Sequence, residues 1–132
     1  MTTNILTIQS ELYKQLSSLN IPVYDSVPIN AQMPYIKLGY MNMNEYSTKT
    51  QEGIQVTQYI DIFSNYKGQK ETREIMHQII QKMQQFDKEN NDLYISLSNT
   101  EILEEQDKEQ SVNNTPKGSI YHGVLIYKFK SL

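Results

Sequence analysis

Cysteine and tryptophan are both absent from this 132-residue sequence, and histidine occurs only twice. Without cysteine there is no disulfide framework, no thiolate zinc site and no cysteine nucleophile, and two histidines do not make a His-rich metal site. Clustered positive charge is missing too. Twelve Lys and Arg against fifteen Asp and Glu give a net charge of −3, and the basic residues are scattered along the chain. Such a distribution has no electrostatic footprint for gripping phosphates, which argues against nucleic-acid binding as the main task. No apolar run approaches the roughly 20 residues that span a bilayer. The opening Met1-Thr2-Thr3-Asn4-Ile5-Leu6-Thr7 lacks a basic region followed by an apolar one. The expectation is an intracellular, soluble protein with no membrane contact. Asn113-Asn114-Thr115 fits a glycosylation sequon, read here as a chance match for want of a secretory signal.

What is present suffices for one compact domain over residues 1–132. Leu, Ile, Val and Phe make up about a quarter of the chain, above the roughly one-fifth level that marks disorder. Ile5, Ile8, Leu12, Leu16 and Leu19 recur at helical spacing, with Thr3 able to cap the first turn. Ile21-Pro22 is expected to end this helix, because the residue before proline is pushed out of the α region. Val23-Tyr24-Asp25 reads as a short extended segment and residues 27–34 as a loop. From Tyr35, Ile36, Leu38 and Tyr40 alternate with Lys37, Gly39 and Met41, and the polar residues 42–53 read as a long loop. A second alternation places Ile54, Val56, Gln58, Ile60 and Ile62 on one strand face and Gln55, Thr57, Tyr59, Asp61 and Phe63 on the other. These two strands are expected to form a hairpin.

Residues 64–68 form a turn, after which Ile75, Met76, Ile79, Ile80, Met83 and Phe86 mark one face of a second helix that residues 87–92 should break. Leu93, Ile95 and Leu97 then alternate as a strand, with residues 101–106 as a separate, acidic extended segment. Residues 107–118 read as a long exposed loop. The last strand, residues 120–130, is apolar on both faces, which requires a central position or a covering subunit. The pattern is therefore α+β: a mainly antiparallel sheet of four to six strands, with two helices on one face and the other face free.

Little in this chain points to catalysis. Glu74-Ile75-Met76-His77 has the spacing of two helical metal ligands, but di-iron bundles need two such copies and further Glu, so this reads as a solvated helix face. His122, in a strand with apolar neighbours, reads as a structural histidine at an edge or interface. There is no Gly-x-Ser-x-Gly elbow and no phosphate-cradling glycine loop. Glu104 and Glu105 would point to opposite sides of a strand. Neither an enzyme nor a bound cofactor or metal is expected. Ten tyrosines supply large, stiff contact area suited to core packing or to subunit contact. The two long polar loops are the other sign of a partner surface.

Taken in order, these segments resemble the tail terminator, or tail-completion and head-to-tail joining, proteins of long-tailed bacteriophages and prophages. Val23-Tyr24-Asp25-Ser26-Val27-Pro28 resembles the family's extended segment after the first helix, and Met33-Pro34-Tyr35-Ile36-Lys37-Leu38-Gly39 the start of its next strand. Tyr46-Ser47-Thr48-Lys49-Thr50 through Gly53 resembles the following loop. Ile60-Asp61-Ile62-Phe63-Ser64 is similar to the strand leading into the second helix, and Tyr121-His122-Gly123-Val124 to the start of the last strand. Where the family often has Trp, this chain has Tyr46 and Phe63, and residues 101–109 match nothing specific.

The resemblance implies a structural virion protein that caps the last ring of the tail tube, stops its growth and offers a joining surface to the head. Its partners would be itself in a six-membered ring, the major tail tube protein, a head-completion protein, and DNA only as it passes through the lumen. It would be found in the host cytoplasm during assembly and then in the virion tail. Candidate interface residues under this resemblance are Tyr46, Thr48, Lys49, Thr50, Glu52, Tyr59, Asp61, Phe63 and Lys117. The alternatives are a head-tail connector (stopper or adaptor) and a small binding module or enzyme with a pocket around His122 or Asp61.

Overall fold

The computed structural model describes residues 5–47, 52–90, 93–106 and 118–131. The elements run α1 (Ile5–Ser17), β1 (Val23–Tyr24), β2 (Tyr35–Ser47), β3 (Glu52–Ser64), α2 (Lys70–Glu89), β4 (Tyr94–Gln106) and β5 (Ser119–Ser131). The strands form one sheet in the order β1-β2-β3-β5-β4. All pairs are antiparallel except β1 with β2. The architecture is thus α+β, with both helices on one side of a mostly antiparallel sheet.

The helix-facing side follows directly from the strand alternation. Ile36, Ile62 and Gly123 share one row across the sheet, Leu38, Ile60 and Leu125 the next, and Val56 and Phe129 another. Apart from Gly123, which has no side chain, these residues are buried together with Ile8, Leu12 and Leu16 of α1 and Ile75, Ile79, Met83 and Phe86 of α2 in one cluster. At roughly 1.5–3 kcal/mol for each large apolar side chain removed from water, this cluster holds the helices on the sheet. Gly123 matters here, since a Cβ on it would sit 2.8 Å from Thr72 Cγ2 and 3.1 Å from Met76 Sδ. Its missing side chain lets the first turns of α2 lie close on β5.

One buried polar residue has a structural reason. Gln58 is 2% exposed, and its Nε2 donates to the carbonyls of Gly39 and Tyr59 at 3.3 and 2.9 Å. Those carbonyls belong to a β-bulge where Gly39 and Tyr40 lie between the pairs Leu38↔Ile60 and Met41↔Gln58. The side-chain amide thus replaces ladder hydrogen bonds that the bulge gives up. A second bulge, at Ser98 and Asn99 of β4, lies on the same line across the sheet, because Tyr59 pairs with Ile126 and Ile126 with Asn99.

Several sequence expectations need correction. Residues 42–53 are mostly strand: β2 continues to Ser47 and β3 begins at Glu52, paired through Asn42↔Thr57 to Ser47↔Glu52. Backbone pairing holds this part together while its side chains remain polar, so the hydrophobic pattern gave no sign of it. Residues 101–106 are the second half of β4, joined to the first through its bulge, so two strands follow α2 and not three. The first helix stops at Ser17, ahead of Ile21-Pro22, and the chain turns at Asn20 in the left-handed region (φ 62°). The second helix runs through Asp87 to Glu89, where the Asn90 side chain takes over, accepting from the Leu93 amide at 3.1 Å and donating to the Leu93 carbonyl at 3.0 Å. β5 is central between β3 and β4, which accounts for its two apolar faces. Thr3, the sequon at residues 113–115 and most of the loop 107–118 lie outside the described residues.

Candidate interaction surface

Among the described residues, no helix lies on the second side of the sheet. Alternation along β3 puts Thr57, Tyr59, Asp61 and Phe63 there, and pairing brings Tyr35, His122 and Leu103 beside Phe63 in one row. Rings dominate this row. Tyr24 meets Tyr35 edge-on at 5.7 Å, Tyr35 lies 5.3 Å from Phe63, and Phe63 stacks on the His122 imidazole at 4.4 Å and 15°. Two rows away, at the bulge, Tyr40 packs edge-on against Tyr59 at 5.3 Å. Such ring pairs each add about 0.5–1.5 kcal/mol beyond area burial and fix side-chain orientation.

Between the ring clusters sits a charged group. His122 Nε2 donates to Asp61 Oδ1 at 2.9 Å, and its Nδ1 lies 3.7 Å from Glu105 Oε1. The hydrogen bond to Asp61 raises the His122 pKa above its ordinary value; burial opposes this, and the charges of Asp61 and Glu105 add to the rise. Gly39 makes room for the arrangement, because any Cβ there would collide with the Asp61 carboxylate. A bulge glycine on β2 therefore positions an acid on β3 that orients a histidine on β5. Burial and the nearby Tyr24 also raise the Tyr35 pKa. On the helix side, burial pushes Tyr127 up to about 12.

Chemically, this geometry suits contact better than catalysis. A histidine base in a nucleophile–base–acid relay turns one ring nitrogen to the nucleophile and the other to the acid. Here both nitrogens of His122 face carboxylates. A hollow of about 250 Å³ lies elsewhere, lined by Gln9, Ser10, Tyr13, Asp25 and Leu38. The pair Glu74 and His77 is exposed on α2.

Of the candidate residues, Tyr59, Asp61 and Phe63 share the open face. Tyr46 and Glu52 lie on the paired strand ends beside the hairpin tip, with their side chains outside the described residues, as are Thr48, Lys49, Thr50 and Lys117 altogether. The sequence reading missed that His122 belongs with Asp61 and Phe63. It lies on a central strand and not at an edge, and only the β3–β5 register, which no local pattern specifies, brings the three together.

A family model described as tail completion protein gp17 matches residues 12–127. The chain belongs to that family. Among solved structures, a chain in the virion of a native gene transfer agent particle shares the fold with this tail-completion protein, at a TM-score of 0.54 and 14% identity. The match covers 91% of this chain and 90% of that one. No curated relative matches the sequence. Family membership makes the protein a structural component of a phage tail, a role that involves association with other tail and head proteins. Among the described residues no helix is long and apolar enough to cross a membrane.

Proposed function

We propose that this tail-completion protein caps the last ring of a polymerised tail tube as a closed ring of identical copies, stops tube growth and presents the surface to which the head is joined. The observation that carries the reading is a preorganised sheet face left uncovered in a chain whose family completes tails. A ring needs a head-to-tail interface that closes, with unlike patches meeting at each junction. The open face, with Tyr59, Asp61 and Phe63, and the hairpin tip spanning Tyr46, Thr48, Lys49, Thr50 and Glu52 supply contacts to neighbouring copies and to the tail tube protein. Lys117 supplies a further one. The protein works by contact and without catalysis or cofactor, in the host cytoplasm during assembly and then in the virion tail. DNA meets it only in passage through the lumen, where a net charge of −3 disfavours capture of phosphates.

The test is tube growth. Tail tube protein polymerised in the presence of this chain should give shorter tubes with a distinct cap at one end in negative-stain images. Tyr46→Ala or Lys49→Glu should leave the chain folded yet restore long tubes. Tubes of unchanged length with no cap contradict the proposal, and binding to a head-vertex protein instead would favour the connector role.

A further inference from the structure

The four long strands differ in what they expose. Among the described residues, five large apolar or aromatic strand side chains are exposed, and all five lie on the outer pair: Tyr40 (61%) and Met43 (50%) on β2, Tyr94 (69%), Leu97 (39%) and Leu103 (46%) on β4. Long sheet edges invite pairing with another chain, and proteins normally blunt them with lysine, proline, charge or a covering element. In this sheet the protection is partial. The first half of β2 is covered by β1, paired at Ile36 and Lys37, and the second half of β4 carries Glu101, Glu104 and Glu105. The remaining halves, residues 41–47 of β2 and 94–99 of β4, contain no lysine or proline and one charge between them, Glu45. Four of the five exposed side chains fall in or directly beside these two unprotected halves.

The two halves also match. β2 and β4 run in opposite directions, since each strand is antiparallel to the next along β2, β3, β5 and β4. A second copy rotated about an axis along the strands therefore offers an antiparallel partner. Both halves lie on the same side of the line of bulges, so they meet without a large slide. Met43 shares a face with Val56, and Leu97 with Tyr127, which places both on the helix side, one two-residue step apart. Tyr40, packed on Tyr59, and Tyr94, in register with Lys130, share the open side. The Ile95 amide already reaches outward to the Asp87 carboxylate at 3.4 Å, and alternation turns the Leu97 amide outward as well.

We infer that residues 41–47 of one copy pair as an antiparallel strand with residues 94–99 of the next, so that the sheet continues from subunit to subunit. The inference rests on the ring reading above and names the junction that builds it. Met43 meets Leu97 on the helix side, and Tyr40 and Tyr94 flank the junction on the open side. Unlike edges meet, so the contact is head-to-tail, the kind a ring requires, and not a two-fold dimer. The aromatic row and the His122–Asp61 pair then remain free for other tail proteins.

The absence of cysteine makes the test clean. A Met43→Cys/Leu97→Cys double variant, treated with a short bismaleimide alone and on tail tube protein, should give a ladder of covalent multiples on denaturing gels. Each single variant should give none. Independently, Met43→Lys and Leu97→Lys should each weaken assembly about tenfold or more with an unchanged circular dichroism spectrum, whereas Gln84→Lys on the outer face of α2 should not. Dimers from a single cysteine variant would show like edges pairing and overturn the inference. Rings by mass without a ladder, unaffected by either lysine, would overturn it while the ring reading stands. A chain that stays monomeric under all conditions would remove both.

Discussion

β3 carries two different surfaces on one strand. Val56, Gln58, Ile60 and Ile62 face the helices and are sealed from water, while Thr57, Tyr59, Asp61 and Phe63, each one residue away, stay partly exposed on the uncovered side. The first set is finished within the chain: Val56, Ile60 and Ile62 share one cluster with α1 and α2, and the Gln58 amide is taken up by the Gly39 and Tyr59 carbonyls. The second set is organised without being covered: rings are stacked and the carboxylate and imidazole are oriented, yet nothing among the described residues closes over them. Stability should therefore be concentrated on one side of the sheet and assembly on the other side and at the edges.

The strongest way to break this comparison is to exchange the effects of neighbouring positions. Ile60→Ala, which empties a fully buried site, should cost about 3 kcal/mol in denaturant unfolding, while Tyr59→Ala, which loses one ring pair at a half-buried site, should cost about 1 kcal/mol. Equal losses would mean that the open face is part of the folding core. Next in size, Gly123→Ala forces a methyl group against Thr72 and Met76 and should destabilise by about 2 kcal/mol, read by the same unfolding curves. Gly39→Ala tests the other side. It should cost about 1 kcal/mol by displacing the Asp61 carboxylate, and should reduce the pH dependence that His122 contributes, leaving the part due to Glu105.

That pH dependence is the smallest effect and the sharpest. The folded-state pKa of His122 is raised, so the folded state holds the proton more tightly than the unfolded chain. The resulting stability is complete below the unfolded value of about 6.5 and is lost as pH rises through the folded value. Unfolding curves of the wild type should show this decline above about pH 6.5, and His122→Asn should flatten it. A wild-type stability that rises over the same interval would contradict the placement of His122 between two acids.

How much of this was legible in the sequence differs between the two sides. The helix-facing residues announce themselves by period, two for Ile54 to Ile62 and 3.6 for Ile75 to Phe86, because burial selects apolar side chains at fixed spacing. Both helices, the β2–β3 hairpin and the α+β class follow from that signal alone. Residues 42–47 escape it, whereas residues 101–106 were legible as extended but not as the continuation of β4. Residues 42–47 are held by backbone hydrogen bonds while most of their side chains are polar in type, and a polar extended strand looks like a loop in sequence. Tyr59, Asp61 and Phe63 were assigned to the open face from alternation. Their meeting with His122 and Gly39 depends on register across three strands and a bulge, which is information about pairing and not about any local segment. Gln58, flanked by isoleucine and valine positions, was visible as an odd polar residue on an apolar face, but the bulge it serves was not.

On the proposed function the chain is a ring subunit of the tail's end. The most direct test of this is the mass in solution by light scattering across a concentration series, alone and then with tail tube protein. The account predicts a single closed multiple of the 15.4 kDa chain, formed either by itself or on the tube, with no larger species as concentration rises. A monomer that ignores the tube at every concentration would contradict it.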